Sequence, residues 1–357
     1  MKILIAAGGT GGHVYPAIAI AKEIRRRNPE SQIVFVGTRG GFEATIVPEH
    51  GFEIEFIELG GLNSASFGKK IRNTLLLPKA FLLSDRLLHK YRPHVVFGIG
   101  GYTSGPLLLL AALKKIPTAI LECNAIAGAT NRWLGKFCGK VFGAFEVAQK
   151  YFPKNKYIFS GIPIRDEILK IPSPRFDAHK KTVFIFGGSQ GASRINKSVL
   201  EMLQKSPEFW KNHSFIHQTG PHDFDEVKKT YHRLGIEADV RKFFNKIYEA
   251  YAKAHFVIAR SGSSVMEISA IGLPSILIPY PYAADDHQKA NAEAFAQANA
   301  SVLVKDHECN GEVLFHILKP ILESDETLQH MSRQALTFRI ENAASIIVDQ
   351  FSTWARE

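Results

Sequence analysis

The sequence predicts two α/β domains, each built on a parallel sheet, facing one another about a phosphate-binding cleft. Three observations carry this. A short apolar strand running into a glycine-rich turn and then a helix occurs twice, as KILIAAGGTGGHVYPAIAIAKEI (Lys2–Ile24) and KTVFIFGGSQGASRINKSVLEML (Lys181–Leu203). Each copy brings backbone N–H groups and a helix N-terminus to one point, where an anion is favoured. Strand-like runs alternate with helical periodicity along the chain, as in sheets with crossover helices. A length of 357 residues is enough for two hydrophobic cores.

In order along the first half, β-branched and apolar runs bounded by turn residues predict strands at Ile3–Ala6, Gln32–Val36, Glu53–Ile57, Val95–Ile99, Thr118–Leu121 and Lys140–Phe142. The segment Arg165–Lys180, with Pro163, Pro172 and Pro174, reads as a linker. The second half predicts strands at Thr182–Phe186, Ser214–Gln218, Ala238–Phe243, Phe256–Ala259 and Ser275–Ile278. The amphipathic stretch Ala343–Trp354 closes the chain and is expected to fold back on the first domain. The domains are thus drawn as 1–162, joined by a helix within 341–357, and 163–340.

Apolar residues at 45% and charged residues at 22% are ordinary for a folded soluble protein. Nothing resembles a signal peptide, because the first apolar stretch breaks at Gly8–Gly9 after one strand's length. No apolar run reaches the roughly 20 residues that span a bilayer. Cys123, Cys138 and Cys309 are widely spaced and read as reduced, buried thiols. The net charge of +10 is concentrated: Lys69, Lys70, Arg72, Lys79, Arg86, Lys90 and Arg92 face only Asp85 within 24 residues. Leu75, Phe81 and other apolar residues interleave with them. This mixture suits anionic lipid better than nucleic acid, since stacking aromatics are few.

GGTGGH (Gly8–His13) follows a strand and has Pro16 in the first turns of the helix. It is not a dinucleotide fingerprint: GxGxxG fails from Gly9 or Gly12, and no acidic residue ends the second strand to hold a ribose. Asp285–Asp286 reads as a helix-capping pair, with a metal site the weaker alternative.

Seven motifs appear in a fixed order: GGTGGH, GIGGYTSGP (Gly98–Pro106), ECNAIAGATNRWL (Glu122–Leu134), GIPIR (Gly161–Arg165), GGSQGA (Gly187–Ala192), HQTG (His217–Gly220) and DDHQKANAE (Asp285–Glu293). Together they resemble the MurG family of peripheral-membrane glycosyltransferases, nearly end to end. The resemblance implies the GT-B architecture and inverting transfer of N-acetylglucosamine from UDP to the 4-hydroxyl of undecaprenyl-diphosphate-linked muramoyl-pentapeptide, in peptidoglycan synthesis. It implies no cofactor and no essential metal. Its partners are the two substrates, the anionic cytoplasmic face of the cell membrane and other cell-wall synthesis proteins; nucleic acid is not among them.

By the same resemblance, Thr10, Gly11 and Gly12 lie against the donor sugar and the acceptor diphosphate, and Asn124 meets sugar hydroxyls. Arg165 and Ser189 face the UDP diphosphate, where a guanidinium and helix-end N–H groups take up leaving-group charge. The Phe244 backbone reads the uracil edge, Glu267 accepts both ribose hydroxyls, and Gln288 and Asn291 hold the sugar. From the basic and apolar composition noted above, and not from the resemblance, Lys69, Lys70, Arg72, Leu75, Lys79 and Phe81 are expected to make the membrane contact. A base must take the acceptor proton as the bond forms. His13 is the first candidate, because a helix N-terminus favours its neutral form; Glu122 is the second, or else orients a neighbour. Leu121 and Cys123 stand where the family usually has histidine and glutamine, and Ala259–Ser269 is one residue short. The rival readings are a UDP-N-acetylglucosamine 2-epimerase, another lipid glycosyltransferase of this fold, and a non-catalytic nucleotide sensor.

Overall fold

The computed structural model describes residues 1–57, 76–101, 103–188 and 190–355. They form two compact units, Met1–Arg165 with Ile340–Glu357, and Asp166–Arg339. The first unit carries β1 (Lys2–Ala6), β2 (Gln32–Gly37), β3 (Glu53–Phe56), β4 (Val95–Gly98), β5 (Thr118–Glu122), β6 (Lys140–Gly143) and β7 (Tyr157–Phe159). All are parallel, in the order β3-β2-β1-β4-β5-β6-β7. The second carries β8 (Thr182–Phe186), β9 (Ser214–Gln218), β10 (Ala238–Arg241), β11 (Phe256–Ala259), β12 (Ser275–Leu277) and β13 (Ser301–Leu303), in the order β10-β9-β8-β11-β12-β13.

A parallel sheet is covered by helices on both faces, so its central strands are apolar throughout rather than alternating. Ile3, Leu4, Ile5 and Ala6 of β1 and Val183, Phe184 and Ile185 of β8 are at most 1% exposed. Each of the larger side chains among them contributes roughly 1.5–3 kcal/mol on burial. In both sheets the chain order reverses beside the first strand, between β1 and β4 and between β8 and β11. Ligands of doubly wound sheets bind outside the carboxyl ends of the strands at that point. The glycine turns that follow β1 and β4 lie at that point of the first sheet, and the one that follows β8 lies at that point of the second.

The helix Ala343–Trp354 belongs to the first unit and packs on the helix Gly11–Arg27. Phe351 is fully buried, its ring 5.2 Å from Phe97 of β4 and 6.4 Å from Phe142 of β6. Arg27 pairs with Asp349, and Ser345 Oγ donates to Glu23 at 3.1 Å.

The sequence reading differs from the structure at its edges. The strands β7 and β13 were not predicted; each has three residues and one neighbouring strand, so little periodicity marks it. The strand β10 ends at Arg241 because the chain turns away before Phe243, which is 45% exposed. The stretch 165–180 is no loose linker: Asp166–Leu169 is a helical turn, and Ile168, Ile171 and Phe176 are buried, Phe176 in the core of the second unit. Cys123, Cys138 and Cys309 are buried free thiols.

Candidate active site

The first glycine turn leaves β1 and enters the helix Gly11–Arg27 at its N-cap residue, Thr10. Gly9 has φ +103°, a left-handed conformation that disfavours any side chain. Thr10 is exposed, and its carbonyl accepts from the amides of His13 (3.0 Å) and Val14 (3.2 Å). Gly11 and Gly12 are the first helical residues, so their N–H groups belong to the set that no helical carbonyl satisfies. His13 is half-buried in this first turn, with Nδ1 3.3 Å from the Gly8 carbonyl. Two residues on, the Tyr15 ring carries the Arg165 guanidinium at 4.0 Å, a cation–π contact. Arg165 is therefore placed beside the first glycine turn's helix.

A buried carboxylate that the sequence reading missed holds this turn in shape. Glu43 is 0% exposed and accepts from Gly9 N at 3.1 Å, Thr38 N at 2.7 Å and Thr38 Oγ1 at 2.9 Å. A Cβ on Gly37 or Gly41 would lie within 2.4 Å of the Glu43 side chain, so the first and last glycines of GTRGG make room for an acid. That glycine cluster was the available signal.

Glu122, at the end of β5, is equally enclosed. Oε1 accepts from Asn124 N (2.9 Å) and Asn124 Nδ2 (3.2 Å); Oε2 accepts from Gly128 N (3.0 Å) and Asn131 Nδ2 (3.0 Å). Burial raises its pKa, and the four donors oppose that rise. Both oxygens are engaged inside its own loop, and two of the four bonds hold the half-buried Asn124.

In the second unit, Ser189 lies outside the described residues. The glycines on either side of it still define the turn: a Cβ on Gly191 would sit 2.0 Å from the Thr219 carbonyl oxygen. Phe244 is 6% exposed, and its N–H donates to Gln218 Oε1 at 2.9 Å. Glu267 is half-exposed in the helix Ser264–Ile271 and accepts from the Tyr251 hydroxyl at 3.3 Å. Gln288 Oε1 accepts from Tyr280 N at 2.9 Å, which fixes the amide with Nε2 directed toward Gly262. Arg260 supports that loop, donating to the carbonyls of Ile278 (3.1 Å) and Pro279 (3.0 Å) while pairing with Asp306. Asn291 is 0% exposed and its Nδ2 donates to the Ser261 carbonyl at 3.1 Å, bracing the turn before Ser264. Asp285 and Asp286 both have φ +53°. Among the described residues, no three His, Cys, Asp or Glu side chains form a metal-holding group.

Residues 3–143 match the model of the glycosyltransferase family 28 N-terminal domain, and residues 182–348 match that of the glycosyltransferase family 28 C-terminal domain. The chain belongs to glycosyltransferase family 28. It is 42% identical over 351 residues to the UDP-N-acetylglucosamine--N-acetylmuramyl-(pentapeptide) pyrophosphoryl-undecaprenol N-acetylglucosamine transferase of Anaeromyxobacter dehalogenans, covering 98% of this chain and 92% of the relative. A protein of the same name from Thermodesulfovibrio yellowstonii is 40% identical over 356 residues, with 98% and 97% covered. The crystal structure of MurG from Acinetobacter baumannii superposes with a TM-score of 0.79 at 27% identity, covering 99% of each chain. A UDP-GlcNAc 2-epimerase from Neisseria meningitidis shares the fold, with a TM-score of 0.70 at 17% identity and 99% and 100% covered.

The family 28 match spans both glycine turns and every motif quoted above except GIPIR, which lies between the two matched ranges. Of the expected membrane residues, Lys69, Lys70, Arg72 and Leu75 lie outside the described residues. Lys79 and Phe81 are on the helix Leu77–Tyr91, Lys79 exposed and Phe81 half-buried. That helix turns Ala80, Ser84, Leu87, Leu88 and Tyr91 into the core and leaves Leu82 53% exposed. Among the described residues, no helix is long and apolar enough to cross a membrane.

Proposed function

We propose that this family 28 glycosyltransferase moves N-acetylglucosamine from UDP-N-acetylglucosamine to the 4-hydroxyl of muramoyl-pentapeptide-diphosphoundecaprenol, a step of peptidoglycan synthesis. The observation that carries the reading is the full-length relationship at about 40% identity to transferases of that name, joined to two glycine turns at the switch points of two sheets. In this reading the first unit takes the acceptor and the second, 163–340 in the sequence division, takes the sugar nucleotide.

The donor is α-linked and the product β-linked, so one displacement with inversion suffices. The acceptor oxygen forms the new bond to C1 of the sugar as the C1–O bond to UDP breaks and the acceptor proton leaves. His13 takes that proton on Nε2. The Arg165 guanidinium and the N–H groups before the helix Ser193–Lys205 receive the charge that builds on the diphosphate. Tyr251 holds Glu267 for the ribose hydroxyls, and the Tyr280 amide presents Gln288 to the sugar. The basic, apolar stretch around Lys79 and Phe81 carries the protein to an anionic membrane surface on the cytoplasmic side, where a polyprenyl-linked acceptor resides.

Incubation of the purified protein with UDP-N-acetylglucosamine and a lipid-diphosphate muramoyl-peptide tests the proposal, with the disaccharide product followed by mass. Release of UDP only with acceptor present is the expected result. Conversion of the sugar nucleotide without acceptor, into its C2 epimer, would overturn it in favour of the epimerase reading.

A further inference from the structure

Gln218 ends β9 and is 2% exposed. The strand order β10-β9-β8 sets it between two loops: the glycine turn that follows β8, and the loop after β10 that carries Phe244. Its side chain reaches both. Nε2 donates to the Gly188 carbonyl at 2.9 Å, and Oε1 accepts from the Phe244 N–H at 2.9 Å. A carbonyl only accepts and a backbone amide only donates, so the amide cannot be turned round without losing both bonds. The residues after it complete the contact. The Thr219 amide donates to the Arg241 carbonyl (3.0 Å) and the Gly220 amide to the Lys242 carbonyl (3.1 Å), extending the hold on the loop after β10. On the other side, a Cβ on Gly220 would lie 2.2 Å from the Gln190 carbonyl oxygen, so the two turns touch backbone to backbone.

We infer that Gln218 is a positioning residue that fixes the spacing between the diphosphate-binding turn and the base-reading loop, which rests on the proposed placement of UDP in this unit. A nucleoside diphosphate bridges two such loops at once. Its affinity then depends on the loops being held at one separation, because a preformed site loses less freedom on binding than one the ligand must assemble. The same bond occupies the Phe244 N–H, so the uracil edge meets the Phe244 carbonyl.

Titration calorimetry and ligand-observed magnetic resonance, with UDP and uridine as probes and thermal melts alongside, test the inference. Wild-type protein that fails to bind UDP would refute the placement of the nucleotide and not the role of Gln218. Given wild-type binding, Gln218→Met should weaken UDP by about tenfold or more, on the scale of lost buried hydrogen bonds. Gln218→Glu keeps the acceptor for Phe244 but loses the donor to Gly188. It should weaken UDP by at least a similar factor while changing uridine by less than about threefold. A purely structural role predicts equal losses for both probes in step with the melting temperature, and that result overturns the inference. So does UDP binding within about twofold of wild type in either variant. If Gln218→Met does not fold, the near-isosteric Gln218→Glu still decides the matter through its UDP-to-uridine ratio.

Discussion

His13 Nδ1 lies 3.3 Å from the carbonyl oxygen of Gly8, a bond that closes the glycine turn on its own helix. A carbonyl can only accept, so Nδ1 carries a hydrogen, and in the neutral ring the lone pair is on Nε2. The turn thus sets the tautomer that a general base requires. His13→Ala should lower kcat by about 10²–10⁴-fold, with donor affinity little changed. Retention of more than about a third of wild-type kcat would show that the base lies elsewhere.

Glu43 should matter although it touches no substrate. Glu43→Gln replaces an acceptor of three bonds with an amide that must present a donor to some of the same groups. The first unit should lose roughly 1.5–3 kcal/mol, the range for hydrogen bonds to a charged group. Transfer should slow as the turn around Gly9 loosens, whereas UDP affinity, assigned to the second unit together with Arg165, should fall far less than in Arg165→Ala. Denaturant melts paired with UDP calorimetry separate these effects, and a matching fall in UDP affinity counts against the division of labour.

Glu267→Ala should weaken UDP-N-acetylglucosamine by roughly 1.5–3 kcal/mol. Tyr251→Phe, which removes only the hydroxyl that supports Glu267, should cost about 0.5–1.5 kcal/mol. Arg165→Ala should weaken UDP and the sugar nucleotide together, since both carry the diphosphate. Unaltered UDP affinity in the Glu267 and Arg165 variants alike would refute the donor placement.

Acid should destabilise the second unit through His217. Burial pushes its pKa down to about 3, and it donates from Nε2 to Asn196 Oδ1 at 3.0 Å as a neutral ring. The unfolded chain protonates this histidine near 6.5 and the folded one near 3, so the unfolded state binds more protons between those values. Stability is therefore complete above about pH 6.5 and is lost as pH falls toward 3, by at most about 1.4 kcal/mol per pH unit. His213 and His255 are shifted in the same direction by burial and share the slope. Urea melts at pH 7, 6 and 5 should show a steeper loss in wild type than in His217→Gln. Parallel slopes would mean that folding leaves the proton binding of this ring unchanged.

Replacing Lys69, Lys70, Arg72 and Lys79 by glutamine should release the protein from anionic vesicles. Each such cation contributes on the order of 1 kcal/mol near a charged surface. Transfer to a short-chain, water-soluble acceptor should survive. Vesicle binding that persists unchanged would place the membrane contact on other residues.

Much of the fold was written locally. The runs ILIA, VVFG, TVFIF and FVIA are apolar enough to be strands buried on both faces, and the glycines after them mark where each strand ends. The chain carries little local sign of YIF at 157–159 or SVL at 301–303, which become edge strands only because a neighbour offers a free row of hydrogen bonds. The candidate site divides in the same way. Glycine turns and the spacing of Gln288 and Asn291 are sequence features, but which of those two faces inward is decided by the Ser261 carbonyl 30 residues earlier. Glu43, Tyr251 and Gln218 act through partners 5 to 34 residues away in sequence, and no pattern around any one of them announces its partner.

The helix Ala343–Trp354 covers β4 and β6 of a sheet whose strands are all made before residue 160. During synthesis the half that emerges first must therefore wait, with Phe97 and Phe142 uncovered, until residue 351 has cleared the ribosome. The half that emerges second has its whole sheet and core within 166–339 and can finish earlier. The order of completion on the ribosome is thus the reverse of the order of translation. The nascent first half is the part of this chain with most to gain from a chaperone.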